Sequence, residues 1–146
     1  MENHPNSKSR TTYPKFYDQD TRWLDNDAYG HVNNVAYYSF FDTAVNKYLI
    51  DHCGLNVGVS QAVGYVVSSS CNYHSSAAYP ADLEVGLRVN KIGNKSVEYG
   101  VAVFKKDSKQ ALATGHFTHV YVDRSCGKSI PIPQEVIDGL QALITD

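Results

Sequence analysis

Between residues 34 and 53 the chain carries Tyr37, Phe40, Phe41, Ala44, Val45, Tyr48 and Leu49 at the spacing i, i+3, i+4, i+7, i+8, i+11, i+12. That spacing puts all of them on one broad face of an α-helix of about five turns, which must be covered by something equally apolar. Asn33 or Asn34 stands where an N-cap belongs and Gly54 where a left-handed C-cap belongs, so the pattern predicts a helix from about 34 to 53. Its aromatic load suggests burial on most sides.

Beyond Gly54 the period changes to two. Leu83, Val85, Leu87 and Val89 alternate with Glu84, Gly86, Arg88 and Asn90, and Val97, Tyr99, Val101 and Val103 alternate with Ser96, Glu98, Gly100 and Ala102. These are half-buried strands joined by a Gly93-Asn94-Lys95 hairpin, and a second turn over Lys105-Lys106-Asp107-Ser108-Lys109 leads into a strand at about 110–122. Two more strands are expected at about 12–24 and 63–73. Pro131 and Pro133 close the sheet region, and Val136, Ile137, Leu140, Leu143 and Ile144 predict a short amphipathic terminal helix. Strand, long helix, then four strands with no βαβ alternation is an α+β order, for which one helix across a curved antiparallel sheet is the compact solution.

At 146 residues the chain has room for about one domain. The expected division is a flexible tail over 1–11 and a single domain over 12–146. A formal net charge of −2 leaves no basic footprint for nucleic acid, so an anionic ligand needs a local cluster. Three widely spaced cysteines at 53, 71 and 126 imply neither a disulfide framework nor a zinc site. With no apolar leader or membrane-length apolar run, a reducing cytoplasm is the expected location.

The stretch most able to carry chemistry is Arg22-Trp23-Leu24-Asp25-Asn26-Asp27-Ala28-Tyr29-Gly30-His31-Val32-Asn33-Asn34. It brings two carboxylates, a glycine turn and a helix N-terminus together. Free N–H groups at a helix start can hold an oxyanion, and a nearby carboxylate can attack a carbonyl or activate water. Those are the parts of an acyl-transfer or hydrolytic site. His116 and His119, three apart in a strand, fall on opposite faces and make a poor metal pair; each is expected to be exposed or locally bonded. Cys71 reads as a small buried apolar residue rather than a nucleophile.

D-x-D-x-x-G-H-V-N-N followed by an aromatic-rich helix resembles the 4-hydroxybenzoyl-CoA thioesterase-like family of hotdog-fold proteins. The similarity continues through Val66-Val67, Tyr79-Pro80-Ala81-Asp82-Leu83-Glu84-Val85, Ile92-Gly93-Asn94-Lys95-Ser96, Val122-Asp123 and Pro131-Ile132-Pro133. The resemblance implies a hotdog fold, an antiparallel sheet wrapped around one long central helix, assembled as a dimer or tetramer with sites at the subunit interface. It also implies hydrolysis of acyl-CoA thioesters without metal or cofactor, coenzyme A being part of the substrate. In the aromatic-CoA member the second Asp of the motif is catalytic, which falls on Asp27, and a backbone N–H four residues after the glycine, here that of Asn34, holds the oxyanion. His31-Val32-Asn33-Asn34 departs from that member, so its aromatic substrate does not carry over.

The remaining candidates are ranked around these two. Asp25 is a second catalytic candidate whose readier role is a structural hydrogen bond, His31 suits helix entry more than proton transfer, and Gly30 shapes the turn. Asn33 is the better side-chain cap. Tyr29, Tyr37 and Tyr38 cluster as substrate contacts, and Arg88, Lys91 and Lys95, with Arg124 and Lys128, are the cations available for CoA phosphates. The expected reaction is hydrolysis of a small or medium acyl-CoA. An enoyl-thioester hydratase or dehydratase using Asp27 with His31 is one rival, and a non-catalytic acyl-CoA or acyl-carrier binding module is the other.

Overall fold

In the computed structural model, which describes residues 7–144, the elements are β1 (Lys15–Asp20), α1 (Asn34–His52), β2 (Ala62–Tyr73), β3 (Asp82–Ile92), β4 (Ser96–Lys105), β5 (Ala113–Asp123) and α2 (Gln134–Leu140). The strands form one antiparallel sheet in the order β1-β3-β4-β5-β2. This is the α+β hotdog arrangement, with α1 lying against the sheet and all seven residues of its predicted face buried. Tyr99, Leu87, Val101 and Val85 from the sheet meet that face and are buried with it. The helix is covered on this side alone: Val35, Ser39, Asp42, Thr43 and Lys47 are exposed, so the expected burial on most sides does not hold within one chain.

Local chemistry sets the helix ends. Asn33 stays extended (φ −62°, ψ 141°) while its side chain accepts the Val35 N–H, satisfying one of the free donors of the first turn. At the other end Gly54 takes φ +75°, and the Leu55 N–H turns back to the Leu49 carbonyl.

The first strand is shorter than the expected 12–24. Pro14 has no N–H to give a ladder, and single 3-10 turns occupy Arg10–Thr12 and Trp23–Asp25 on either side. The terminal helix likewise ends at Leu140, with Gln141–Leu143 tightened into a 3-10 turn.

The expected flexible tail also needs correction. Its first six residues lie outside the described ones, but residues 7–11 are seated on the outer face of the sheet. Arg10 N–H donates to the Lys109 carbonyl (3.0 Å), Ala111 N–H donates to that of Lys8 (2.9 Å), and the Tyr13 hydroxyl donates to that of Ser7 (2.7 Å). The Arg10 guanidinium pairs with Glu84 at 2.6 Å and lies over the Phe16 and Phe104 rings. This segment caps a small cluster of Tyr13, Ala102, Phe104 and Ala111 on the face away from α1.

Two edges flank the sheet, and they differ. β1 offers six residues including Lys15, Asp18 and Asp20, whereas β2 offers twelve residues without a formal charge, with Tyr65, Val66, Val67 and Tyr73 exposed. A long uncharged edge is a template for another strand, and a short charged one resists pairing. Among the described residues, no helix is long and apolar enough to cross a membrane.

Candidate active site

The approach to α1 is a sequence of small hydrogen-bonded devices. Asp25 is buried and its carboxylate is fully engaged: Oδ2 accepts the Arg22 N–H (2.8 Å), and Oδ1 accepts the Arg22 guanidinium at 2.8 and 3.2 Å. Burial pushes this carboxyl's pKa up, but the Arg22 charge and hydrogen bonds outweigh it and hold the pKa below its ordinary value. The Asp25 carbonyl takes the Asn33 N–H at 2.7 Å. Asp25 therefore ties the chain to the helix start, and it does not line the cleft described next. Its hydrogen bonds match the structural role expected of it more closely than the catalytic one.

Two residues on, the chain reverses. Asp27 N–H donates to the His31 carbonyl (2.8 Å) and Gly30 N–H to the Asp27 carbonyl (3.1 Å), a closure that requires φ +82° at Gly30. Asp27 Oδ1 accepts the N–H groups of Tyr29 (2.8 Å) and His31 (3.3 Å). One carboxylate oxygen thus locks the side chain, while Oδ2 has no hydrogen bond among the described residues. Val32, buried, hangs the turn on the Ala77 carbonyl through its N–H at 2.8 Å.

The helix start then divides its donors. Val35 N–H goes to the Asn33 side chain and Ala36 N–H to the Asn33 carbonyl (2.9 Å). The Asn34 N–H has no acceptor among the described residues, although it stands at the positive end of a 19-residue helix. Asp27, Tyr29, His31, Val32, Asn34 and Tyr37 line one wall of a cleft of about 310 Å³, and Tyr73, His74, Ser75 and Ser76 line the other. An unengaged carboxylate oxygen and an unengaged N–H on one cleft can serve a carbonyl that becomes an oxyanion.

The second wall was not foreseen from the sequence. Tyr73 donates its hydroxyl to the Asn34 carbonyl at 3.1 Å and packs edge-to-face on Tyr37 with ring centres 5.3 Å apart. His74 Nε2 bonds the Thr114 hydroxyl at 2.9 Å, and burial, helped by the charge of Lys8, lowers its pKa. The only signal in the sequence is the polar run Asn72-Tyr73-His74-Ser75-Ser76 at a strand end.

Other expected site residues fall elsewhere. Tyr38 is turned away from the cleft and stacks on Phe117 at 6.2 Å, because one helical step rotates it about 100° from Tyr37. Arg88 is buried, donating to the Thr12 carbonyl at 3.2 Å beneath the N-terminal segment, so it is not a phosphate contact at the rim. Lys91 and Lys95 are exposed near the β3–β4 hairpin, and through the sheet register Lys91 stands level with Ser68 and Lys95 with Gly64 of β2. The cleft is at the Tyr73 end, about 16 Å and about 30 Å further along that strand.

His116 and His119 do lie on opposite faces. His116 Nδ1 bonds the Ser70 hydroxyl at 2.8 Å, but His119 is neither exposed nor bonded: it is fully buried edge-on to Tyr99, with no partner at either nitrogen among the described residues. Burial lowers its pKa, which favours the neutral ring. Cys71 is half-buried, and burial raises its pKa against the lowering effect of Tyr73, as suits an unreactive thiol. Among the described residues, no group of three or more His, Cys, Asp or Glu is placed to hold a metal ion.

Comparison with known proteins agrees with this architecture. A family model described as the thioesterase-like superfamily matches residues 21–140. The PA5185 protein of Pseudomonas aeruginosa strain PAO1 superposes with a TM-score of 0.92 at 49% identity, covering 94% of this chain and 96% of that one. A 1,4-dihydroxy-2-naphthoyl-CoA thioesterase from Synechocystis has the same fold at 19% identity (TM-score 0.77; 86% and 93% of the chains). So does protein SAV2348 of Staphylococcus aureus, solved in complex with CoA, at 16% identity (TM-score 0.77; 85% and 79%). No curated protein matches the sequence. With the family match spanning most of the chain and the hotdog sheet and helix in place, the chain belongs to the thioesterase-like superfamily, and the chemistry of its class is thioester hydrolysis.

Proposed function

We propose that this protein hydrolyses a small or medium acyl-CoA thioester to the free acid and CoA, with Asp27 as the reacting carboxylate and the Asn34 N–H as oxyanion donor. The observation that carries this reading is the pairing of one unengaged carboxylate oxygen with one unengaged helix-start N–H on the same cleft. The CoA named for two relatives in fold supports the thiol portion of the substrate. No cofactor enters the scheme, since CoA arrives with the substrate.

Two routes use the same atoms. In one, Asp27 Oδ2 bonds to the carbonyl carbon, the C–S bond breaks, the CoA thiolate takes a proton from solvent, and water then cleaves the mixed anhydride. In the other, Oδ2 removes a proton from water as that water attacks. Thiol release over a panel of acyl-CoA esters tests the function itself; no release from any ester would refute it. A single turnover in oxygen-18 water separates the routes. Unlabelled acid in the first turnover means direct attack, with water cleaving the anhydride at the Asp27 carboxyl carbon; where the acid is labelled, capture of an acyl-enzyme by hydroxylamine separates anhydride cleavage at the acyl carbon from a general base.

The working unit in this proposal is a homodimer paired along β2. That edge has no charge to repel its own copy, and two-fold pairing is self-complementary. Val67, 60% exposed, lies next to the midpoint of β2, so it faces its own counterpart across the axis. Val67→Asp places two carboxylates against each other there. The expected result in sedimentation velocity is a shift from dimer to monomer, with loss of thioesterase activity.

A further inference from the structure

The Asn34 N–H can serve an oxyanion well only if it is aimed beforehand, because a donor that must reorganise during the reaction loses much of its advantage. A helix start is a poor place for that. Its first N–H groups lack intrahelical partners, and its first turn frays readily. The local hydrogen bonds do not cure this: Asn33 Oδ1 takes the Val35 N–H, the Asn33 carbonyl takes the Ala36 N–H, and the Asp25 carbonyl takes the Asn33 N–H. All of them join neighbours in one stretch, which could still move as a unit.

The connection from β2 to β3 ties that stretch to the sheet, running antiparallel beside it. The Thr21 hydroxyl donates to the Ala81 carbonyl and accepts the Ala81 N–H, both at 2.9 Å. Asn26 Oδ1 accepts the Tyr79 N–H (3.0 Å), Val32 N–H donates to the Ala77 carbonyl (2.8 Å), and the Asn34 carbonyl accepts the Tyr73 hydroxyl (3.1 Å). Each step forward along one segment is a step back along the other. The last contact of the series meets the first turn of α1 itself. The Asn34 carbonyl and the Val35 N–H belong to one rigid peptide plane, so Tyr73 and the Asn33 side chain grip that plane from its two sides. The Asn34 N–H sits on the adjoining plane, one Cα away, and takes its direction from it.

The Tyr73 side chain is itself held for this task. Its ring packs edge-on against Tyr37, which fixes where the hydroxyl points. Burial, reinforced by the Cys71 thiol, raises the hydroxyl's pKa well above its ordinary value, so the group keeps the proton it donates.

We propose that Tyr73 is a positioning residue for thioester hydrolysis: through its hydrogen bond to the Asn34 carbonyl it aims the Asn34 N–H at the developing oxyanion, and it does not itself touch the substrate. This inference rests on the thioesterase reading with Asn34 as oxyanion donor.

Tyr73→Phe keeps the ring on Tyr37 and deletes the hydroxyl. The expected result is a fall in kcat of about tenfold to thirtyfold, with KM within about twofold of the wild type and a melt within a few degrees. The decisive comparison adds Asn34→Pro, which lacks the N–H to be aimed. In that background Tyr73→Phe is expected to change kcat by less than about twofold. A loss of equal size in both backgrounds overturns the proposal, because Tyr73 would then act on the substrate directly. So does a kcat for Tyr73→Phe within about twofold of the wild type. A second measurement needs no turnover: the ¹⁵N order parameter of the Asn34 amide is expected to fall in Tyr73→Phe, and an unchanged value overturns the proposal. A wild-type protein that releases no thiol from any ester is a different failure. It removes the thioesterase reading, while the amide measurement still decides whether Tyr73 holds the helix start.

Discussion

Asp27→Asn is expected to lower kcat for acyl-CoA hydrolysis by about 10³–10⁴-fold while melting within a few degrees of the wild type. The separation of effects comes from the two carboxylate oxygens. Asn retains an Oδ1 that can accept the Tyr29 and His31 N–H groups, so the turn that closes on Gly30 persists. The unengaged oxygen becomes an amide NH₂, which neither attacks a carbonyl nor takes a proton from water. Thiol-release kinetics and a thermal melt on the same sample check both halves. Activity within tenfold of the wild type would remove Asp27 from the mechanism.

The second large effect concerns a backbone group. Asn34→Pro is expected to cost about 10²–10³ in kcat, because it deletes the one N–H at the helix start that has no acceptor among the described residues. Elsewhere a helical proline breaks the fold, but the first helical position tolerates it, since the missing N–H had no helical partner. Asn33 already has the extended ψ of 141° that a residue before proline needs. Asn34→Ala keeps the N–H and is expected to lose at least tenfold less than the proline variant. Equal kcat for the two variants would mean the oxyanion is held elsewhere.

The sequence made the centre of the molecule legible and its perimeter less so. The face from Tyr37 to Leu49 and the alternations in β3 and β4 are periodic, and periodicity survives without knowing neighbours. The Asp27-to-Asn34 stretch was readable for a similar reason: its hydrogen bonds span only a few residues. Tyr73 to Ser76 are forty residues away in the chain and meet Asn34 only once β2 has packed beside α1, which no local pattern reports. Lys91 and Lys95 stand apart from the cleft of their own chain, since hairpins reveal which strands adjoin, not which end of the finished sheet faces the helix start. Arg88 follows the polar parity of its strand as expected, but the segment from Ser7 to Tyr13 folds over it and changes its surroundings.

The unequal edges of the sheet also bear on growth. A sheet with two permissive edges can add copies without end, as fibres do; one permissive edge and one guarded edge give an assembly that stops. In the dimer proposed above, Lys15, Asp18 and Asp20 would act as terminators, leaving a ten-stranded sheet with both outer margins closed to further strands. Evolution or engineering that neutralises these three side chains would leave catalysis untouched at first and turn a finite particle into a polymerising one.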